Sequence, residues 1–304
     1  MGDPRAGRAP FSVLLPVYGG DRPAFLRRAF DSATVEQTRP PDEVVIVQDG
    51  PVDGSMSAQL SDIESGSTIP TRIIRLPDNV GLAGALTAGL RACRHEIVAR
   101  ADADDISFPH RFAVQLPLIE QGADLVGAGL VEFDTDETVP GTRRLMPVTP
   151  AQIARYARFA DPFNHPSVIY RRSAVFAVGG YQDLPLMEDY LLFLRMINNG
   201  AVVANVVEPL VKYRIGQGAY QRRGGRALLR AELALQRTML EEGFVNRLQY
   251  LRNVALRGGY RLVPLALRKP AYRLLILGRA AAMARAGRAA QHRSVAGSQT
   301  EPGR

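Results

Sequence analysis

Short apolar runs alternate with helix-periodic segments from Val13 to Val131, and this alternation constrains the fold more than any other feature. Val13–Val17, Glu43–Val47, Thr71–Leu76, Glu96–Ala101 and Asp124–Val131 read as buried strands. Pro23–Gln37, a segment near Ser57–Glu64, Gly81–Ala92 and Phe108–Gln121 read as helices. The first carries Phe25, Leu26, Ala29, Phe30 and Ala33 at helical spacing, and Asp21 and Pro23 set its start. Strand and helix in strict turn, joined by short loops, predict an α/β fold: a mostly parallel sheet flanked by helices, with right-handed crossovers. Ligands of such sheets bind beyond the carboxyl ends of the strands. Pro16-Val17-Tyr18, Gln48-Asp49-Gly50, Pro77-Asp78-Asn79 and Asp102-Ala103-Asp104 all follow strands, so they are expected to line one edge.

After Pro147 the pattern changes. Thr149–Phe159 reads as a helix capped by Thr149, Ser167–Tyr170 as a strand, and Ser173–Val178 as a short helix ended by Gly179-Gly180. Glu188–Asn199 is a strongly periodic helix stopped by Gly200. Pro209–Ile215 reads as a strand and Arg226–Glu242 as a helix. Beyond it, arginine-rich helical patterns run to about Ala290, and Ser294–Arg304 has the composition of a disordered terminus.

Charge is distributed unevenly. From Gly243 onward there are 12 Lys and Arg against one acid, Glu301, whereas the preceding part holds 26 basic and 29 acidic residues. A slightly acidic body with a basic tail, interleaved with leucines such as Leu248, Leu251 and Leu256, points to an anionic membrane surface rather than to nucleic acid. Packing of that tail on the body is the alternative. No apolar run is long enough to span a bilayer. The first apolar run is cut short by Pro16 and Tyr18-Gly19-Gly20, so it reads as a strand and not as a signal peptide. The single cysteine, Cys93, falls in an apolar helical pattern and is expected in the core. It excludes an internal disulfide and a Cys-rich zinc site.

The sharpest chemical signal is Asp102-Ala103-Asp104-Asp105 after an apolar strand. Alternate residues of an extended segment share a side, so Asp102 and Asp104 can converge on one ligand. Two hard carboxylates suit Mg²⁺ or Mn²⁺, and hence a diphosphate; a solvated acidic turn ahead of Pro109 is the alternative. Glu188-Asp189 opens a helix. Carboxylates there are favoured by the helix dipole and can also serve as a general base towards an acceptor hydroxyl. His165, before Pro166, is expected to be extended, lining a site or packed in the core. His95, His110 and His292 give no metal-ligand spacing. Gly81-Leu82-Ala83-Gly84 opens a helix but matches neither GxGxxG nor a phosphate-binding P-loop. Arg222-Arg223-Gly224-Gly225 is either a diphosphate clamp or a solvated basic turn.

Taken in order, VLLPVYGGDRPAFLRRAFDSATVEQ, EVVIVQDG, DNVGLAGALTAGL, IVARADADDISFPHRFAVQ, FNHPSVIYRRSAVFAVGGY, MEDYLLFLRMINNG and LVKYRIG resemble the inverting glycosyltransferases of family 2, over Phe11–Glu242. The similarity is to bacterial hexosyltransferases of the amylovoran type, which build exopolysaccharide, capsule or O-antigen units. The resemblance implies a GT-A catalytic domain over 1–242, with a nucleotide-binding half at about 11–135 and an acceptor half at about 147–225. A basic helical extension (243–293) and a tail (294–304) follow. It implies that Pro16, Val17, Tyr18, Asp49, Asp78 and Gly81 surround the nucleotide of a UDP-sugar. Asp102 would lie by ribose and metal, Asp104 would bind Mn²⁺ or Mg²⁺, Asp189 would be the base, and Glu188 and His165 would lie near the acceptor. The acceptor implied is a saccharide, typically on a polyprenyl diphosphate at the cytoplasmic face of the plasma membrane. The QxxRW motif of processive synthases is absent and the chain has no Trp, which implies transfer of one sugar. A sugar-nucleotide nucleotidyltransferase would need a Gly-rich basic loop after the first strand, where Pro16–Arg22 is a poor match. A non-catalytic, membrane-associated assembly partner is the other alternative.

Overall fold

The structure, a computed structural model, describes residues 8–184, 186–215 and 226–261. Its first half is the expected parallel array, ordered β3 (Thr71–Leu76), β2 (Glu43–Asp49), β1 (Phe11–Tyr18), β4 (Ile97–Arg100). The helices between these strands, α1 (Pro23–Ala33), α2 (Gly54–Gly66) and α3 (Gly81–Ala92), cover both faces. That is why the middles of β1 (Val13–Val17) and β2 (Val44–Val47) are apolar without alternation. In β1, Val13, Leu15 and Val17 join a core with Leu26 and Phe30 of α1, Met56 and Leu60 of α2, and Phe112 and Leu116 of α4 (Arg111–Glu120). Leu14, pointing the other way, meets Leu86 and Leu90 of α3. Cys93 is buried on that face, and burial pushes its thiol up to about 12.

The second half of the sheet is mixed. The short β8 (Ile169–Arg171) runs antiparallel between β4 and β6 (Leu125–Phe133), and β9 (Val203–Arg214) is parallel to β6. A two-residue strand, β5 (Ile106–Ser107), pairs antiparallel with β9, and β7 (Arg143–Arg144) pairs with β6. The sequence reading missed β5 and β7, which are too short to show periodicity, and began β9 at Pro209. The strand starts at Val203, and its pairing with β6 slips around Gly129, opposite Pro209, a residue with no N–H to give to a ladder.

Helix limits differ in the same local way. α1 stops at Ala33, not at Gln37, because the Thr34 backbone leaves the helical region. Its first residue is Pro23, as expected, but Arg22 occupies the cap position and Asp21 turns back to the Tyr18 N–H. α2 begins earlier, with the Asp53 side chain accepting the Met56 N–H at 2.8 Å. α5 (Pro150–Ala157) is capped by Thr149 and Gln152 reciprocally. His165 is not extended: His165–Ser167 form one 3-10 turn ahead of β8. α6 (Arg172–Ala177) and α7 (Glu188–Asn198) complete this half.

A third apolar cluster joins α7 to α8 (Arg226–Glu241), through Tyr190, Leu191 and Leu194 against Leu228, Leu235 and Met239. The chain then folds back along α8. After α9 (Arg247–Asn253) it continues through a wider π-type turn at Val254–Gly258. The Asn253 amide donates to the Arg158 carbonyl (2.8 Å) and the Gln236 carboxamide oxygen (2.9 Å). The Arg257 guanidinium forks onto the fully buried Glu232 carboxylate at 2.6 and 3.0 Å. The start of the basic extension is therefore packed on the body. Its remainder, with His292, lies outside the described residues, as do Arg222 and Arg223. Among the described residues no helix is long and apolar enough to cross a membrane.

Leaving one member of a buried ion pair behind costs about 3 kcal/mol or more. Arg257→Met is thus expected to lower the urea unfolding free energy by about 3 kcal/mol. An unchanged midpoint and slope would show that the fold-back contributes nothing to stability.

Candidate functional site

The carboxyl ends of β1 to β4 open into one cavity of about 1120 Å³. Pro16, Val17 and Tyr18 of β1, Asp49 of β2, Asn79 and Gly81 before and at the start of α3, and Asp102 and Asp104 after β4 all line it. The sheet-edge expectation therefore holds for each strand. Among the candidates that follow these strands, Asp78 is the exception: it sits on the exposed turn after β3, outside the lining, and Asn79 lines the cavity instead; Glu188, Asp189 and His165 also lie outside that lining.

Local chemistry fixes this edge. One Asp49 oxygen accepts the Val80 N–H at 2.7 Å, and the Asn79 amide donates to the Asp49 carbonyl at 3.2 Å. The two loops meet at Gly50, whose φ is +81° and where an added Cβ would lie 2.6 Å from the Asn79 nitrogen. Only glycine fits both constraints. Gly81, also at positive φ, turns the chain into α3.

The acids after β4 are held by a buried guanidinium. The Arg100 side chain is 3% exposed, and both its terminal nitrogens face the Asp102 carboxylate, one of them at 2.6 Å. Beneath it, Arg111 donates to the Arg100 carbonyl (2.7 Å) and to the Ser107 hydroxyl (3.0 Å). Burial, helped by the charge of Arg100, pushes the Arg111 guanidinium down to about 9. Asp104 lines the cavity beside Asp102; burial and that neighbour's charge push it up to about 6. Asp21, whose carboxylate accepts the Tyr18 N–H at 2.9 Å, is likewise pushed up to about 6, mainly by burial and further by Asp104 and Asp102. Arg214 closes the opposite wall. Its guanidinium is packed between the Phe25 and Phe133 rings, 3.9 and 4.4 Å from their centroids, and donates to the Asp104 carbonyl at 3.0 Å.

A surplus of negative charge in a half-dry cavity is the setting a divalent cation relieves. Among the described residues no group of three or more His, Cys, Asp or Glu is arranged to hold a metal ion alone. The donor set fits a cation of the Mg²⁺ or Mn²⁺ kind, which takes one or two carboxylates and completes its shell with water and substrate phosphate.

The second acid group stands at the start of α7. Leu186, three residues before Asp189, lines the same cavity and carries φ +68°, a conformation rare for a branched side chain and concentrated at functional sites. Asp189 keeps 24% of its side chain open, and one of its oxygens accepts the Tyr190 N–H at 2.8 Å. Burial raises its affinity for a proton. The charge of Arg100 opposes that, and the charge of Asp102 adds to it, so the two acid groups share one electrostatic site. Glu188 beside it is pushed up to about 7, by burial and then by Asp189. Asp161, near the 3-10 turn, is raised by the same two causes. His165 is buried, with Nε2 2.8 Å from the Tyr181 hydroxyl and Nδ1 3.6 Å from Asp189.

The sequence reading thus named Asp102, Asp104, Glu188, Asp189 and His165. It missed Arg100, Asp21, Arg214, Asp161 and Leu186. Arg100 had a signal, a cation within an apolar strand; Arg214 ends a strand in the same way. Asp161 and Leu186 are single residues of irregular segments and gave none.

A parallel nucleotide-binding-type sheet continued by a mixed half, with acids at the shared edge, defines the GT-A class of glycosyltransferases. Comparison with known proteins agrees. Residues 12–179 match the family model "Glycosyl transferase family 2". Over 88% of this chain and 98% of the relative, it is 37% identical to an uncharacterized glycosyltransferase of Haemophilus influenzae. It is also 37% identical to an amylovoran biosynthesis glycosyltransferase of Erwinia amylovora, over 84% of this chain and 94% of the relative. A UDP-Gal:alpha-D-GlcNAc-diphosphoundecaprenol beta-1,3-galactosyltransferase of Escherichia coli is 32% identical over 88% and 96%. Among solved structures, S. aureus TarS 1-349 in complex with UDP-GlcNAc superposes with a TM-score of 0.62 at 16% identity, over 85% of this chain and 77% of that one. The chain spans 46% of the longer TarS structure. A Pyrobaculum calidifontis mannosyltransferase in complex with GDP-Man and Mn²⁺ superposes with a TM-score of 0.55 at 18% identity, over 91% and 81%. The chain belongs to glycosyltransferase family 2, and its relatives mark it as a hexosyltransferase.

Glu188 yields a pH prediction. Its folded-state pKa, about 7, lies above the ordinary 4.5. Its contribution is fully present below pH 4.5 and is lost as pH rises towards and through 7. Glu188→Gln should therefore raise the unfolding free energy at pH 8 by on the order of 1–3 kcal/mol, and flatten its fall between pH 5 and 8. Parallel urea-stability profiles for variant and parent would contradict this.

Proposed function

We propose that the chain transfers a single hexose, galactose or glucose, from a UDP-sugar to a lipid-linked saccharide in cell-surface polysaccharide synthesis, with inversion at the anomeric carbon. The observation that carries the reading is the cavity that runs from Asp49 past Asp104 to Leu186, with Asp189, three residues beyond Leu186 and outside the lining, under the charges of Arg100 and Asp102. The names of the amylovoran and galactosyltransferase relatives support the substrate class. The absence of QxxRW supports a single transfer.

In this reading Pro16, Val17, Tyr18, Asp49 and Gly81 surround the nucleotide, with Asn79 in the place expected of Asp78. Asp104 would hold Mn²⁺ or Mg²⁺, and Asp102, gripped by Arg100, would lie between metal and ribose. The cation, when bound, supplies neutralisation of the departing diphosphate. Arg214 and Arg22 line the same wall and add fixed positive charge there. Asp189 takes the proton of an acceptor hydroxyl while its oxygen attacks the anomeric carbon from the face opposite UDP. The new C–O bond forms as the bond to the diphosphate oxygen breaks, and UDP leaves with that electron pair. An α-linked donor then gives a β-linked product.

The acceptor's lipid carrier would meet the enzyme at an anionic membrane surface. Support comes from Leu248, Leu251 and Leu256, which are 78%, 61% and 59% exposed on the fold-back segment, amid the cation-rich stretch after Gly243.

Asp189→Asn should reduce transfer at least about 10³-fold, the scale of losing a general base, while UDP affinity by calorimetry stays within about twofold (well under 1.4 kcal/mol). Equal loss of both would place the base elsewhere. Changing Leu248, Leu251 and Leu256 together to Ser should weaken sedimentation with anionic liposomes and leave unfolding unchanged. Unaltered sedimentation would remove the membrane role from this surface.

A further inference from the structure

His165 was expected near the acceptor, yet it does not line the cavity: it is 7% exposed and wedged between Tyr181 and Phe193, with ring centroids at 5.5 and 5.8 Å. Its two nitrogens have separate tasks. Nε2 lies 2.8 Å from the Tyr181 hydroxyl, which lies 3.4 Å from the Tyr170 hydroxyl in the fully buried floor. Nδ1 faces the outer Asp189 oxygen at 3.6 Å, the oxygen that does not accept the Tyr190 N–H. Burial keeps the imidazole neutral, so it carries one N–H. Burial also keeps the Tyr181 phenol protonated. That phenol has one proton to give, either to the Tyr170 oxygen at 3.4 Å or to Nε2 at 2.8 Å; the shorter contact takes it, and the Tyr170 hydroxyl then donates to the Tyr181 oxygen. An Nε2 that accepts must leave the ring proton on Nδ1.

We propose that Tyr181 and His165 form a buried tautomer lock that aims the Nδ1–H at Asp189 and so holds this carboxylate ionised and oriented towards the acceptor. His165 is on this account a positioning residue, and the proposal rests on Asp189 being the base. The 3.6 Å separation is longer than a hydrogen bond; contacts to a base shorten when the acceptor is bound. The opposite tautomer would turn an imidazole lone pair on the carboxylate. The lock has a clear electrostatic need. Besides His165 and Tyr181, the groups acting on or beside Asp189 are Glu188 on its own helix, Asp161 from the segment before the 3-10 turn, and Asp102 and Arg100 from the end of β4. Three of these are acids and one is a cation. A donor directed at Asp189 offsets the surplus without adding a charge to the floor.

The test is the pH profile of kcat for transfer at saturating donor and acceptor, with metal supplied, together with the acceptor KM at each pH. His165→Phe should move the acid limb about one pH unit upward, a roughly tenfold rate loss on that limb. Tyr181→Phe, which removes only the hydroxyl and keeps the ring, should move it in the same direction by less. His165→Asn, whose side-chain amide can occupy the Nδ1 position as a donor, should restore most of the shift. An acid limb unmoved in both Phe variants would overturn the proposal, as would a loss confined to acceptor KM, which would return His165 to the acceptor site. Asp189→Asn separates this from the reading beneath it: if that variant retains transfer, the base assignment has failed, whatever the His165 variants show.

Discussion

Everything at the site depends on one buried cation. Arg100 ends β4, the central strand where the parallel half of the sheet meets the antiparallel β8, and its guanidinium is gripped by Asp102. Asp104, Asp105, Glu188 and Asp189 all feel the charge of Arg100, and burial makes each of their own charges expensive. A guanidinium stays charged when buried and spreads its charge over a planar fork, which suits it to hold such a group together. Arg111 supports it from below, and Gln115, on the same helix, bonds the Ser167 carbonyl at 2.8 Å. The loop after β4 and the turn that carries His165 are thereby tied to one helix.

This arrangement also explains why the fold joins two kinds of sheet. Parallel strands deliver loops to a common edge, which places nucleotide-side residues close together. In the proposed reading, the base for the acceptor approaches from another direction. The short antiparallel β8 brings the 3-10 turn beside β4, and α7 then starts at the cavity rim with two acids in its first turn. Leu186, with its left-handed backbone, lines the cavity three residues before Asp189.

Much of this was legible in the sequence, for definite physical reasons. Buried parallel strands are apolar through their middles, so β1, β2 and β4 stood out, and the edge rule placed Asp49 and Asp102 on one edge of the sheet. The ordered motifs carried the family. What was hidden depended on contacts between distant segments. The two-residue β5 exists because β9 passes it; β9 itself extends upstream of Pro209 because a bulge absorbs the missing donor. Arg214 looks like an ordinary strand-end cation until Phe25 and Phe133 close on it. His165 before Pro166 reads as extended by local preference, and tertiary packing overrides that preference. The pattern after Gly243 left a membrane and the body as alternative partners; Arg257 is spent on Glu232 inside the body while the neighbouring leucines stay exposed.

The most direct test of the account is the stereochemistry of the product. If Asp189 is, as proposed, the single base opposite the leaving diphosphate, only inversion is open, and transfer from an α-linked UDP-hexose gives a β-glycoside. Proton NMR of the purified disaccharide product should show the large anomeric coupling of a β-galactoside or β-glucoside. A small coupling, that of the α-anomer, would contradict the arrangement of Asp189 and the donor on which the account rests.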